Sequence, residues 1–174
     1  TLLRDKLFYN KALAYQKKHG RGRRIDNSLQ TNGVLLTDDW CKFFRDNNFL
    51  IGISIDGPEH CHDVYRKNKG GSGTFKQVMR GIELLQKHGV EFNTLSVIND
   101  YNVDYPLEVY NFFKEIGSRY MQFSPIVERI HKNDVPSGLK LMGPEEEDDY
   151  VIAPWTVDAR KFGKFYIDIF DEWV

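Results

Sequence analysis

Side chains able to bind a ligand or carry charge gather in three runs: Gln30-Thr31-Asn32-Gly33, Ser54-Ile55-Asp56-Gly57 and Gln122 to Glu128. Each lies at the end of a run that reads as a strand. Amides, hydroxyls and carboxylates at the carboxyl ends of strands can meet over one pocket, where α/β proteins place their chemistry. Taken singly, Asn32-Gly33 and Asp56-Gly57 are also turn formers, because Asn, Asp and Gly tolerate positive φ and hydrogen-bond locally. The residue types alone leave both roles open.

Two further runs carry chemistry-bearing residues with less force. Lys69-Gly70-Gly71-Ser72-Gly73-Thr74 precedes a helix, and bare backbone N–H groups at a helix start bind anions. It lacks the lysine that a phosphate loop places at the helix start and does not directly follow a strand, so it reads as a flexible connection. Glu59-His60-Cys61-His62-Asp63 holds metal-ligand types, yet ligands of one zinc ion are usually separated by two to four residues. Adjacent residues rarely turn toward one ion, so the metal reading is set aside. The two cysteines, Cys41 and Cys61, are too few for a disulfide framework or a thiolate-held cluster. Cys41 sits among Trp40, Phe43 and Phe44 and reads as a small buried thiol.

Strands and helices alternate along the chain, since the apolar period switches repeatedly between about two and about 3.6 residues. A helix is predicted over Leu2 to Lys18, with Gly20 as its stop. A strand follows over Ser28 to Thr31, and then a helix from Asp38 to about Asn47, with Thr37 as N-cap. Phe49 to Ile55 is a β-branched strand. Thr74 and Gln77 form a candidate capping box for a helix that Gly89 closes. Glu91 to Ile98, Val103 to Ile116 and Tyr120 to Phe123 complete a strand, a helix and a fourth strand. The interval from Ile130 to Ala153 reads as a long loop, and a last helix begins near Asp158. The fold class is α/β with parallel strands, as an open doubly wound sheet or part of a (β/α) barrel, which periodicity cannot separate.

The 174 residues suit one domain or a piece of one, with 41% hydrophobic and 28% charged residues. A net charge of -1 gives no global field for nucleic acid or anionic lipid. The basic run Lys17 to Arg24 reads as a solvated connection. No stretch approaches the roughly 18 apolar residues of a membrane span and no signal peptide is visible, so the default location is the cytoplasm. The start at Thr1 and the end inside an amphipathic run read as cuts.

Taken as one string, Ser54-Ile55-Asp56-Gly57-Pro58, His62-Asp63, Arg66 and Gly73-Thr74-Phe75 resembles a segment of radical S-adenosylmethionine peptide-modifying enzymes. Asn27 to Thr37 upstream and Gln122 to Arg129 downstream are similar to the same group, and specifically to the anaerobic sulfatase-maturating enzymes. Phe165 to Val174 is similar to the helix that leads toward their C-terminal domain. The family's CxxxCxxC loop and Gly-Gly-Glu-Pro segment have no counterpart here.

This resemblance implies a partial six-stranded (β/α) barrel of the TIM type, of which residues 1–174 supply about strands three to six. The chain is then the central and C-terminal part of a radical S-adenosylmethionine domain. It implies two cofactors, S-adenosylmethionine and a four-iron, four-sulfur cluster whose ligands lie outside this chain. Ser54 and Arg66 are expected to hold the carboxylate of S-adenosylmethionine, Val127 to lie against its adenine, and Gln30 and Asn32 to line the cavity. The intact enzyme would use a deoxyadenosyl radical to oxidise a sulfatase Cys or Ser to formylglycine, drawing electrons from a donor such as flavodoxin or ferredoxin. The chain alone is expected to be inactive, with apolar surface exposed at open barrel edges. Alternatives are a maturase of another ribosomally made peptide and a non-catalytic peptide-binding module.

Overall fold

The computed structural model describes residues 6–131 and 150–174. In chain order these form α1 (Leu7–His19), β1 (Asn27–Thr31), α2 (Asp38–Asp46), β2 (Phe49–Ser54), α3 (Glu59–Tyr65), α4 (Phe75–Lys87) and β3 (Phe92–Ile98). A 3-10 turn (Asn102–Asp104), α5 (Pro106–Glu115), β4 (Met121–Pro125), β5 (Arg129–His131), β6 (Tyr150–Ile152) and α6 (Ala159–Trp173) follow.

Strands β1 to β4 form one parallel sheet in the order β1-β2-β3-β4. A doubly wound sheet reverses its strand order at a switch point, and here every strand pairs with its predecessor. The sheet therefore winds one way, as a segment of a barrel does. This settles the architecture that apolar periodicity left open.

Alternation along the strands assigns the two faces of the sheet. In β2, Phe49, Ile51 and Ile53 are buried, whereas Leu50, Gly52 and Ser54 turn to the other face and stay partly open. The buried set joins Trp40, Cys41 and Phe44 of α2, Val78, Ile82 and Leu85 of α4, Val109 and Phe113 of α5, and Phe165 and Ile169 of α6 in one core. Burial of each large apolar side chain contributes roughly 1.5–3 kcal/mol. The helices thus close one face of the sheet and leave the inner face for other uses.

Two helices start as the sequence predicts. The Thr37 hydroxyl accepts from Trp40 N at 3.3 Å at the start of α2, and the Asp158 carboxylate accepts from Arg160 N and Lys161 N at the start of α6. Helix α4 does not use the predicted Thr74–Gln77 box. Asp63 Oδ1 accepts from both Thr74 N and Phe75 N at 2.9 Å, and the Thr74 hydroxyl instead donates to Arg66 O at 2.8 Å. A carboxylate from outside the helix wins because one charged acceptor serves both N–H groups at the helix start.

Further differences concern short elements. Glu59 to Asp63, set aside as a metal run, begins α3 behind Pro58. The predicted helix from Val103 is a 3-10 turn followed by α5, because Pro106, at the first helical position, supplies no N–H to continue a helix through it. The predicted loop from Ile130 to Ala153 has paired ends, with β5 antiparallel to β6. Its residues 132–149 lie outside the described residues, as do residues 1–5, which include the start of the first helix predicted from Leu2.

Candidate functional site

The exit of β2 builds the site. Ser54 ends the strand on the inner face beside Leu95 of β3. Asp56 follows, buried, and Gly57 turns the chain with φ of 122°, where a Cβ would stand 2.9 Å from Val109 Cγ2. The left-handed conformation and the lack of room both select glycine there. The chain can then fold back through α3, which returns Arg66 to the strand end.

Arg66 and Asp56 form a bidentate pair. Arg66 Nε donates to Asp56 Oδ2 at 2.5 Å and Nη2 to Asp56 Oδ1 at 2.9 Å. Val97 N of β3 donates to the same Oδ1 at 2.9 Å, which ties the carboxylate to the sheet. The side chains are 4% exposed for Asp56 and 28% for Arg66, so the acid is sealed and the guanidinium reaches outward. A paired, hydrogen-bonded carboxylate is the form in which such burial is tolerated.

The remaining residues of the motif hold this pair in place. Asp56 N donates to His62 Nδ1 at 3.3 Å, and His62 Nε2 meets the Thr74 hydroxyl at 3.1 Å. Nδ1 must then be the acceptor, which leaves the ring proton on Nε2. Burial holds His62 in this neutral state by pushing its pKa down to about 4; the charge of Arg66 lowers it further, while Asp56 and Asp63 act in the opposite direction. Asp63 caps α4, and Gly73 leaves room for it, since a Cβ there would lie 2.0 Å from Asp63 Oδ2. The string that carries the resemblance is largely a scaffold for one guanidinium.

Arg66 and Asp56 line a cavity of about 370 Å³ together with Tyr65, Val97, Asn99, Ile126 and Trp155. Its walls are fixed by hydrogen bonds: the Tyr65 hydroxyl donates to Asp100 Oδ1 at 2.7 Å, and Trp155 Nε1 donates to Glu128 Oε2 at 2.6 Å. Ile126 N donates to Ile98 O and Val157 N to Ile126 O, so Ile126 bridges the end of β3 and the strap before α6. One cation among aromatic and aliphatic walls suits a ligand with an anionic group and a flat, weakly polar ring.

The five residues singled out from the sequence are distributed over more than one place. Arg66 faces this cavity, and Ser54 lies two residues from Asp56 on the inner face. Val127 is 72% exposed, while its neighbour Ile126 lines the cavity. Gln30 lines a second cavity, of about 330 Å³, along the inner face with Asn93, Leu95 and Gln122. Asn32 is exposed and its Oδ1 accepts from Val34 N, a turn role. The three polar runs thus feed two cavities and a turn. Tyr65, Asn99, Ile126 and Trp155 escaped sequence reasoning; the only signal was the opposite charge of Asp56 and Arg66 within one motif.

Neither cysteine is suited to bind a metal. Cys41 and Cys61 are 0% and 1% exposed, and burial pushes their thiols up to about 11 and about 12, with nearby acids adding to the shift. Among the described residues no group of three or more His, Cys, Asp or Glu could hold a metal ion. The loop before α4 is likewise self-satisfied, since Asn68 Oδ1 accepts from Gly70 N and Ser72 N.

Comparison with known proteins bears on the family and the fold. The profile of the radical SAM superfamily matches residues 1–113. The chain is 55% identical, over its whole length and 42% of the relative, to a serine-type anaerobic sulfatase-maturating enzyme of Bacteroides thetaiotaomicron. It is 35% identical, over 95% of its length and 40% of the relative, to a cysteine-type enzyme of Clostridium novyi. It superimposes on the structure of native anSMEcpe with bound AdoMet at a TM-score of 0.77, with 33% identity over 95% of this chain and 41% of that one. The structure of the same enzyme with AdoMet and the Cp18Cys peptide gives a TM-score of 0.78 at 32% identity, over 95% of this chain and 42% of that one. The chain spans about two fifths of the length of these relatives. With a one-way parallel sheet, an arginine-bearing cavity at its strand ends and a matching profile over residues 1–113, the chain belongs to the radical SAM superfamily.

Proposed function

We propose that residues 1–174 are the central and C-terminal part of the radical S-adenosylmethionine domain of an enzyme that oxidises a sulfatase Cys or Ser to formylglycine. The observation that carries this reading is the Arg66 cavity at the carboxyl ends of β2 and β3. S-adenosylmethionine and a four-iron, four-sulfur cluster with ligands outside this chain supply hydrogen-atom abstraction when bound.

The residues of this chain bind and orient. Two of the five N–H donors of Arg66 serve Asp56, so three stay available for the cofactor's carboxylate, with the Ser54 hydroxyl as second donor. Ile126 and Trp155 provide apolar surface for the adenine, with the exposed Val127 beside Ile126 as a further apolar side chain. Gln30 and Gln122 offer amides to a sulfatase polypeptide on the inner face, where their role is to hold one C–H bond in reach and keep water out, while Asn32 serves the turn after β1. Both serine-type and cysteine-type names occur among the relatives, and these favour a sulfatase over another ribosomally made peptide. No helix among the described residues is long and apolar enough to cross a membrane. The reading places the enzyme in the cytoplasm as an oxidoreductase served by a flavodoxin or ferredoxin, with no nucleic-acid or membrane partner.

Anaerobic calorimetry of S-adenosylmethionine on the iron-loaded, full-length protein tests this. Binding that weakens at least about tenfold in Arg66→Ala, equivalent to roughly 1.4 kcal/mol, is expected. A full-length protein that takes up neither iron nor cofactor refutes it.

A further inference from the structure

We propose that Asp56 is a positioning residue for ligand recognition: it holds the Arg66 guanidinium in the one orientation that presents its free N–H groups to a carboxylate in the adjoining cavity. The inference rests on the cofactor reading given above and adds to it a residue that does not itself touch the ligand.

Arginine is a long side chain whose rotamer freedom must be removed before a planar fork can meet a carboxylate. Here that work falls to a single acid. Asp56 takes Nε and one N–H of Nη2, which fixes both the plane and the edge of the guanidinium. The acid itself cannot swing, because Val97 N holds Oδ1, its own N–H is bound to His62, and Asn102 Nδ2 donates to its carbonyl at 3.1 Å. Each anchor comes from a different part of the fold: β3, α3 and the 3-10 turn. Arg66 is held from behind as well, since its carbonyl accepts from Thr74 N and the Thr74 hydroxyl.

The rest of the cavity strengthens the assignment. Among the described residues its lining holds no second cation, so Arg66 is the one charged donor there for a carboxylate. A buried acid beside this cation would weaken anion binding by charge alone. Its presence is explained if orientation of the guanidinium matters more than maximal positive charge.

The test compares two ligands that differ by one group: S-adenosylmethionine and its decarboxylated analogue, each titrated calorimetrically into the iron-loaded, full-length protein. The wild type should bind the first more tightly, and Arg66→Ala should lower that preference at least about tenfold. Asp56→Asn keeps the shape and the backbone contacts but lacks the charge; it should lower the preference at least about fivefold while affinity for the decarboxylated ligand changes less than about twofold. A merely structural role would weaken both ligands equally. Asp56→Glu, which keeps the charge but displaces the guanidinium by a methylene, should lose the preference too and serves if the Asn variant does not fold. Full preference retained in whichever of these variants folds overturns the proposal, as does equal weakening of both ligands. A wild type with no preference, or an Arg66→Ala variant that keeps it, would instead refute the placement of the carboxylate at Arg66.

Discussion

Removing the Asp63 carboxylate and filling the space it occupies should cost the same stability once, not twice. Asp63 Oδ1 accepts from Thr74 N and Phe75 N, both at 2.9 Å. Loss of a cap costs about 0.5–2 kcal/mol, and hydrogen bonds to a charged group sit above the neutral range, so Asp63→Ala should destabilise by about 2 kcal/mol. Gly73→Ala places a Cβ 2.0 Å from Asp63 Oδ2 and 2.5 Å from Oδ1, which must expel the carboxylate. Gly73 does not sit in the left-handed region, so alanine brings no backbone strain of its own there. The single Gly73→Ala variant should therefore also lose about 2 kcal/mol, the value of the displaced cap. In an Asp63→Ala background the clash is gone, and Gly73→Ala should be neutral or stabilising by about 0.4–1 kcal/mol through the unfolded chain. Urea denaturation followed by circular dichroism on all four members of the cycle gives the coupling, expected near 2 kcal/mol or above. Additive losses, with the double variant near 4 kcal/mol down, would show that Gly73 is selected for another reason and that Asp63 is not the cap of α4.

Two other expectations follow from buried groups. His62 is 0% exposed with its pKa lowered to about 4, so the native state resists its protonation while the unfolded chain accepts a proton near 6.5. Stability should be full above about 6.5 and fall as pH drops toward about 4, by about 3 kcal/mol for this group at 1.36 kcal/mol per unit; His62→Gln should lack that fall in denaturation curves across the window. Asp38, held down to about 2 by Lys87 and His88, loses its contribution only at lower pH, which separates the two groups. Cys41 and Cys61, sealed and pushed up to about 11 and about 12, should react with a thiol reagent at pH 8 only after denaturant is added; rapid labelling of either in the native protein would contradict their burial.

The long elements were legible because their patterns repeat. The β-branched run at Phe49 and the apolar stripe of Val78, Ile82 and Leu85 each carry several residues of evidence, and both appear within a residue or two of the predicted bounds. Short elements were not. Helix α3 has seven residues, too few for a period, and β5 and β6 have three each and meet across an interval that sequence order keeps apart. The site was legible as a motif but not as a geometry. Arg66 stands out by type, yet nothing in the spacing says that Asp56 takes two of its donors. The cavity wall depends on Trp155 and Ile126, which a hydrogen-bonded strap, rather than a motif, brings to the strand ends. The same register explains why Ile126 lines the cavity while Val127 is exposed.

The strict β1-β2-β3-β4 order also has a bearing on how the chain acquires its shape. Each strand finds its partner among the residues made just before it, so the sheet can grow one βα unit at a time as the polypeptide emerges, with no strand waiting for a distant mate. The arginine clasp then closes early, since Asp56 and Arg66 are ten residues apart, but Val97 can lock the acid only when β3 docks. The cavity would be finished last of all, when the strap bearing Trp155 folds over four strands already in place.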